Sequence, residues 1–233
     1  MTVPPADVGT HGLAQRIEHT LLAPWSTRSM VERHCAEART HELCAVCVNP
    51  VWVSCAINAL RATPVRVVTV VGFPLGANET ATKAFECVRA VEAGAHEVDM
   101  VIHVGALKAA DRYAVRADIE AVVNAAQGRP VKVILETALL TDAEKLLGCA
   151  LAEEAGARFI KTSTGFARPE SVAVAGSGIG ASVEDVRLIR QAVAERMQIK
   201  ASGGIRERAF ALQLVAAGAD RIGTSVGPDL LSR

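Results

Sequence analysis

Eight short apolar segments alternate with segments of helical character along this 233-residue chain. The predicted strands are residues 17–21, 43–48, 66–71, 97–101, 131–136, 158–163, 198–202 and 220–223. Strict alternation predicts parallel pairing through right-handed crossovers, and eight such units are the number that closes a barrel. We therefore predict an α/β protein with a single TIM (β/α)8 barrel domain over residues 1–233.

The segments between these strands have the composition of helices. The predicted helices are residues 29–40, 51–60, 78 or 80 to 94, 111–127, 182–196 and 207–217, and one that begins at Thr141. Thr141 and Glu144 form a capping box, which is typical of a helix start. A short helical lead-in precedes the first strand, and we expect residues 1–12, which are polar and contain prolines, to form a flexible arm.

The composition fits buried parallel strands and excludes several partners. Half of the residues are hydrophobic and only 3% are aromatic, as expected of aliphatic strands covered on both faces. The 25 acidic and 25 basic residues are dispersed, which argues against a nucleic-acid or anionic-membrane surface. No segment has the pattern of a signal peptide or of a membrane span of about 18 apolar residues. We expect a cytoplasmic protein.

Three patterns that suggest cofactors are discounted. Cys44 and Cys47 form a CxxC pair, but strand alternation sends their side chains to opposite faces. The six histidines show neither HxH nor HExxH spacing. The GSGIG sequence at 176–180 does not directly follow a predicted strand, as a dinucleotide fingerprint does. We predict no cofactor and no metal.

Two lysines stand in apolar strands just before small-residue loops. Burial favours the neutral amine, so Lys161 and Lys200 are candidates for attack on a carbonyl carbon. Strand alternation turns both inward, together with Asp99, and barrel chemistry occurs at the carboxyl ends of strands. The alternative interpretation is that both lysines extend from the strand ends to solvent. A matched pair of lysines supports this interpretation less well than a single lysine would.

The lysine pair suggests a division of roles. Two ammonium groups about 4 Å apart repel by about 4 kcal/mol at an effective dielectric constant near 20, which would lower one pKa by roughly three units. We assign Lys161 as the nucleophile, Lys200 as the neighbour that lowers its pKa, and Asp99 as the group that exchanges protons through a water. Glu97 and Lys132 lie deeper in their strands, and we interpret them as a buried charge pair that fixes barrel geometry.

Glycines and hydroxyl residues cluster after the last three strands. The loops contain Thr164-Gly165, Ser202-Gly203-Gly204 and Gly223-Thr224-Ser225. Loops after strands seven and eight, with a helix amino terminus, form the usual barrel phosphate site. Tight turns use glycine as well, so the pattern alone leaves both readings open. Beside the lysine pair, it favours a phosphorylated carbonyl substrate.

Five motifs resemble those of the 2-deoxyribose-5-phosphate aldolases, in consistent order from about residue 13 to 231. They are IEHTLL at 17–22, VGFPLG at 71–76, EVDMV at 97–101, FIKTSTGF at 159–166 and KASGGI at 200–205. The resemblance implies a class I aldolase of deoxyribonucleoside catabolism that needs no metal. Such an enzyme reversibly cleaves 2-deoxy-D-ribose 5-phosphate to D-glyceraldehyde 3-phosphate and acetaldehyde. It also implies a homodimer or homotetramer.

The resemblance assigns site residues by position. The family's Schiff-base lysine falls on Lys161, its proton-relay aspartate on Asp99 and its second lysine on Lys200. The substrate-binding candidates are Thr20, Cys47 and Thr164, and the phosphate-binding candidates are Gly165, Gly203, Gly204, Gly223 and Ser225.

The chain departs from the family pattern in three places. Glu18 replaces an aspartate one methylene shorter, which we expect to alter hydroxyl recognition. Phe166 and Val226 stand where some members have a lysine and a serine, so we expect weaker phosphate binding, mainly through backbone amides. Some members end in a tyrosine that reaches the site, whereas the single tyrosine here is Tyr113.

Two other functions remain open at this point. One is a different Schiff-base barrel enzyme, such as a transaldolase or an aldolase with another donor. The other is a non-catalytic barrel that binds a sugar phosphate.

Overall fold

The computed structural model describes residues 9–167 and 178–232, in which eight parallel strands form a closed barrel in chain order. The strands are Ile17–Leu21 (β1), Ala45–Val48 (β2), Arg66–Val71 (β3), Glu97–Val101 (β4), Val131–Ile134 (β5), Phe159–Lys161 (β6), Gln198–Ser202 (β7) and Arg221–Thr224 (β8). The pairing of β8 with β1, in which Ile222 lies opposite Ile17, closes the barrel. The predicted barrel is confirmed.

Helices connect the strands around the outside of this barrel. Those in the described residues are Thr10–Ala14 (α1), Arg28–Thr40 (α2), Val53–Ala59 (α3), Thr80–Glu92 (α4), Val104–Lys108 (α5), Arg112–Ala125 (α6), Asp142–Glu154 (α7), Val183–Val193 (α8) and Arg208–Ala216 (α9). The capping box at Thr141 is present at the start of α7. No helix in the described part of the chain is long and apolar enough to cross a membrane.

Several elements, including β2, β6 and α8, are shorter than predicted, and three further differences have a local physical cause. Helix α1 begins at Thr10, inside the segment expected to be an arm, because the fully buried Leu13 anchors this turn to the core; residues 1–8 lie outside the described residues. Helix α5 was not predicted, and the ring of His103 caps it by accepting a hydrogen bond from the Ala106 amide. Strand β5 ends two residues early because Glu136 adopts a left-handed backbone with φ of 58°.

The strand residues divide between two environments. Outward-facing Val98, Ile160 and Ile199 are fully buried among helix side chains, as strand alternation predicted. Inside the barrel, Cys47 and Val68 belong to a small apolar cluster. The other inward positions include fully buried charged side chains. The barrel interior therefore combines an apolar part with a charged part.

Candidate active site

Lys161 and Lys200 lie opposite each other on neighbouring strands. Lys161 is the last residue of β6, and its Cα pairs in register with that of Lys200 on β7. The Lys161 side chain is 3% exposed and that of Lys200 is fully buried. Both lysines point into the barrel, so the alternative reading of solvent-directed side chains is wrong.

Asp99 on β4 accepts hydrogen bonds from three lysines. Its Oδ2 atom lies 2.8 Å from Lys161 Nζ and 2.7 Å from Lys200 Nζ, and its Oδ1 atom lies 2.8 Å from Lys132 Nζ. Burial alone would raise the pKa of Asp99, but the three ammonium groups outweigh it and hold the pKa well below its usual range. The structure thus joins the three predicted catalytic residues through one ionised carboxylate and adds Lys132 to the cluster.

Glu18 and Glu97 complete the ion pairs around these lysines. The buried Glu18 carboxylate accepts a hydrogen bond from Lys200 and lies 3.5 Å from Lys132 Nζ and 3.4 Å from Arg221. Glu97 Oε2 lies 2.7 Å from Lys132 Nζ, in the buried pair expected from the sequence. Glu18 is held among cations and is not among the described residues that line the cavity below. Its expected effect on hydroxyl recognition stays a prediction.

The two lysines of the pair have opposite pKa shifts. Burial is the largest cause that lowers the pKa of Lys161, Lys200 lowers it further, and Asp99 opposes both. Burial also acts to lower the pKa of Lys200, but the Asp99 and Glu18 carboxylates outweigh it and the pKa rises. The site therefore places an amine that loses its proton more readily than an ordinary lysine beside one that holds its proton more firmly. Lys200 lowers the pKa of Lys161, as predicted, but burial lowers it more.

Lys161 opens into a cavity of about 580 Å³ at the carboxyl ends of the strands. The cavity is lined by Thr20, Leu22, Ala23, Pro24, Trp25, Lys161, Thr164, Gly165, Phe166, Ser202, Gly203, Gly204, Ile205, Arg206, Gly223, Thr224 and Ser225. Of the substrate-binding candidates, Thr20 and Thr164 line it, whereas Cys47 is fully buried in the apolar cluster of the barrel interior. A ligand in this cavity would reach Lys161, and the fully buried Asp99 and Lys200 lie directly behind that lysine.

All five predicted phosphate-binding residues line this same cavity. Gly165, Gly203 and Gly204 have positive φ values of 82°, 95° and 74°, a conformation that favours glycine and leaves backbone amides free to turn toward a ligand. Gly223 has a packing role as well, because a Cβ atom there would lie 3.0 Å from Lys200 Cε. The loops after β6, β7 and β8 therefore surround one space next to Lys161.

Sequence reasoning missed two residues of this region. Arg206 is exposed and lines the cavity beside Gly204, where it adds a guanidinium group to the predicted backbone amides. Glu136 is 4% exposed and bonds to Thr164. Arg206 could have been found as the first cation after the KASGGI motif. Glu136 had been placed inside a strand.

The CxxC cysteines and one cluster of histidines contain possible metal-ligand atoms. Cys44 and Cys47 are free thiols, and burial raises the pKa of each. His19, His34 and Glu37 lie together outside the barrel, with possible ligand atoms within 4.8 Å of one another. The two rings stack with centroids 3.6 Å apart and planes at 18°, so their in-plane lone pairs cannot converge on one ion. This cluster is packing between β1 and α2.

Comparison with known proteins gives consistent matches. The model of the DeoC/LacD family aldolases matches residues 13–232. Deoxyribose-phosphate aldolase 1 of Bacillus licheniformis is 49% identical over 223 residues, which cover 95% of this chain and 96% of that protein. The deoxyribose-phosphate aldolase of Carboxydothermus hydrogenoformans is 50% identical and covers 96% of each chain.

The fold of this chain also matches that of a solved structure. The deoxyribose phosphate aldolase of Aeropyrum pernix, described as a unique tetramer, superposes with a TM-score of 0.85 at 33% identity. The match covers 96% of this chain and 91% of that one. The sequence matches and the structural match therefore all point to the same aldolase family, over nearly the whole length of this chain.

Proposed function

The chain belongs to the DeoC/LacD family of aldolases, and we propose that Lys161 is the Schiff-base nucleophile with which it cleaves 2-deoxy-D-ribose 5-phosphate. The products are D-glyceraldehyde 3-phosphate and acetaldehyde, and the reaction is reversible. One observation supports the role of Lys161 most directly. Lys161 is the member of the Asp99-centred cluster that lines the cavity, and its pKa is lowered.

The first half of the reaction forms the imine. The neutral amine of Lys161 adds to the C1 aldehyde of the open-chain sugar, and the carbinolamine loses water to give a protonated imine. Asp99, which lies 2.8 Å from Lys161 Nζ, exchanges the protons of this step through a water. Lys200 stays protonated and disfavours a second positive charge on Lys161 before the attack.

The second half breaks the carbon–carbon bond. The C3 hydroxyl loses its proton, C3 becomes the aldehyde carbon of glyceraldehyde 3-phosphate, and the electrons of the C2–C3 bond move into the enamine. Protonation of C2 regenerates the imine, and water then hydrolyses it to acetaldehyde and free Lys161. The water released on imine formation is thus consumed on hydrolysis, and each proton removed is returned.

The phosphate end of the substrate would lie among the glycine loops. The backbone amides near Gly203 and Gly204 and the guanidinium of Arg206 are groups that bind a phosphate dianion. Phe166 stands where some family members have a lysine, and in this chain Arg206 supplies a cation in the same cavity. We therefore propose that phosphate binding combines backbone amides with one side-chain cation.

The proposal includes the assembly and the compartment. Because the Aeropyrum pernix relative is a tetramer, we propose that this chain forms a homodimer or homotetramer, which light scattering at several concentrations would test. All six cysteines are free thiols, a state that a reducing cytoplasm maintains.

An activity assay tests the proposed reaction. Wild-type protein is incubated with 2-deoxyribose 5-phosphate, and the glyceraldehyde 3-phosphate formed is measured by coupled reduction. We expect turnover that persists in EDTA, because a Schiff base needs no metal, and we expect none from Lys161→Ala. Lys108→Ala, which removes a 42% exposed lysine, is the matched control. Full activity of Lys161→Ala would exclude Lys161 as the nucleophile.

A further inference from the structure

Glu136 combines three unusual features at the carboxyl end of β5. It is 4% exposed, its backbone is left-handed with φ of 58° and ψ of 66°, and its Oε1 atom has no hydrogen-bond partner among the described residues. A non-glycine residue in this conformation persists only where its surroundings fix it, and such residues cluster at functional sites. The mechanism above gives Glu136 no role, so its position needs an explanation.

The other carboxylate oxygen of Glu136 holds one residue of the cavity wall. Glu136 Oε2 accepts a hydrogen bond from the Thr164 amide at 3.2 Å and another from the Thr164 hydroxyl. Thr164 lies three residues after Lys161 and lines the cavity of about 580 Å³ into which Lys161 opens. Glu136 therefore bonds twice to the segment that carries the nucleophile.

The hydrogen bonds of Thr164 determine what its hydroxyl can offer a ligand. A threonine hydroxyl has one donor and two acceptor lone pairs. The donor goes to Glu136 Oε2, and one lone pair accepts the Phe166 amide at 3.0 Å. One lone pair remains. In this arrangement the Thr164 hydroxyl can accept a hydrogen bond from a ligand but cannot donate one.

We propose that Glu136 is a positioning residue that fixes the Thr164 hydroxyl as a hydrogen-bond acceptor for a hydroxyl group of the sugar substrate. The inference rests on the proposed aldolase function and adds a specificity element to it. A ligand that presents an O–H to Thr164 is accepted. A ligand that presents only a carbonyl or ether oxygen there meets a second acceptor. Imine formation with acetaldehyde, which has no hydroxyl, does not depend on this contact.

The test compares two reactions in four variants. Thr164→Val removes the hydroxyl, Glu136→Met removes the acceptor at similar volume, and the double variant combines them. Glu136→Gln keeps an amide oxygen that can accept the Thr164 hydroxyl. Thr137→Val is the matched control, because it removes a buried hydroxyl that lacks a partner in the described residues. Each protein is assayed for cleavage of 2-deoxyribose 5-phosphate and for borohydride trapping of acetaldehyde.

We expect cleavage to separate from trapping. Thr164→Val and Glu136→Met should each lower kcat/KM for cleavage about tenfold, and the double variant should lose no more than Thr164→Val alone, because both changes remove the same contact. Trapping rates should stay within about twofold of wild type. The kcat/KM of Glu136→Gln for cleavage should stay within about threefold of the wild-type value. The control Thr137→Val should have the same kcat/KM as the wild type.

Several results would overturn the inference. Multiplied losses of about a hundredfold in the double variant would show that Glu136 acts independently of Thr164. Equal losses of trapping and cleavage would show that it only supports the structure. If Glu136→Met does not fold, Glu136→Gln decides, since a tenfold loss there would mean that the charge and not the acceptor matters. A wild-type protein that neither traps nor cleaves would overturn the proposed function and this inference with it.

Discussion

Lys161 and Lys200 face each other across β6 and β7 and donate to the same oxygen of Asp99, at 2.8 and 2.7 Å. Their surroundings differ in two respects. Lys200 also bonds to Glu18, whereas Lys161 reaches the cavity. The extra carboxylate keeps Lys200 charged, and this charge together with burial favours neutral Lys161. Two similar side chains are thus given opposite pKa shifts by their neighbours.

Replacing Lys200 with methionine should move the pH dependence of cleavage. The Lys200 charge lowers the pKa of Lys161, so its removal raises that pKa, and the neutral amine appears only at higher pH. We expect the acid limb of kcat/KM to shift upward by about one pH unit. The exposed substitution Lys108→Met should leave the profile unchanged, and a shift toward lower pH would contradict the assignment.

Replacing Asp99 with asparagine should impair both chemistry and stability. Loss of the proton-exchanging carboxylate should lower kcat at least about a hundredfold. The change also leaves three buried lysines without their shared anion, which should cost about 3–5 kcal/mol of unfolding free energy. Turnover and urea unfolding measure the two effects. Asp142→Asn, at a 75% exposed side chain, is the control. A kcat within tenfold of wild type would argue against proton exchange by Asp99.

Replacing Arg206 with alanine should affect only the phosphorylated substrate. We expect KM for 2-deoxyribose 5-phosphate to rise about tenfold, while cleavage of unphosphorylated 2-deoxyribose stays the same. Steady-state kinetics with both sugars check this, with the exposed Arg187→Ala as control. Equal effects on the two sugars would place the phosphate elsewhere.

His34 should make the fold less stable in acid. Burial is the main cause that lowers its pKa from 6.5 to about 3, so below pH 6.5 the unfolded chain binds a proton that the folded chain does not. Stability is therefore lost as pH falls from 6.5 toward 3, by about 2 kcal/mol between pH 6.5 and 5. His34→Gln should flatten this dependence in urea unfolding, and the exposed His41→Gln should not. Equal slopes in the two variants would contradict the account.

The sequence predicted the parts of the fold that follow from periodicity. Alternation of strands and helices indicated the barrel, and the period of two placed Ile160 and Ile199 outward and Asp99 inward, as the structure confirms. These properties depend only on neighbours along the chain.

The details of the site depend on relations that periodicity does not contain. The contacts of Asp99 with Lys132, Lys161 and Lys200 are set by the stagger of β4 to β7 around the barrel, which a single strand does not specify. The left-handed backbone of Glu136 was missed because glutamate rarely adopts it, so nothing local marks the end of β5 there. The role of each site residue remains a prediction.

Reductive trapping with acetaldehyde tests the central claim most directly. Borohydride converts an imine into a stable amine, so peptide mass mapping identifies the lysine that formed it. We predict an ethyl adduct on Lys161 and none on Lys200. An adduct on Lys200 instead, or no adduct in protein that still binds the sugar phosphate, would contradict the assignment of Lys161 as the nucleophile.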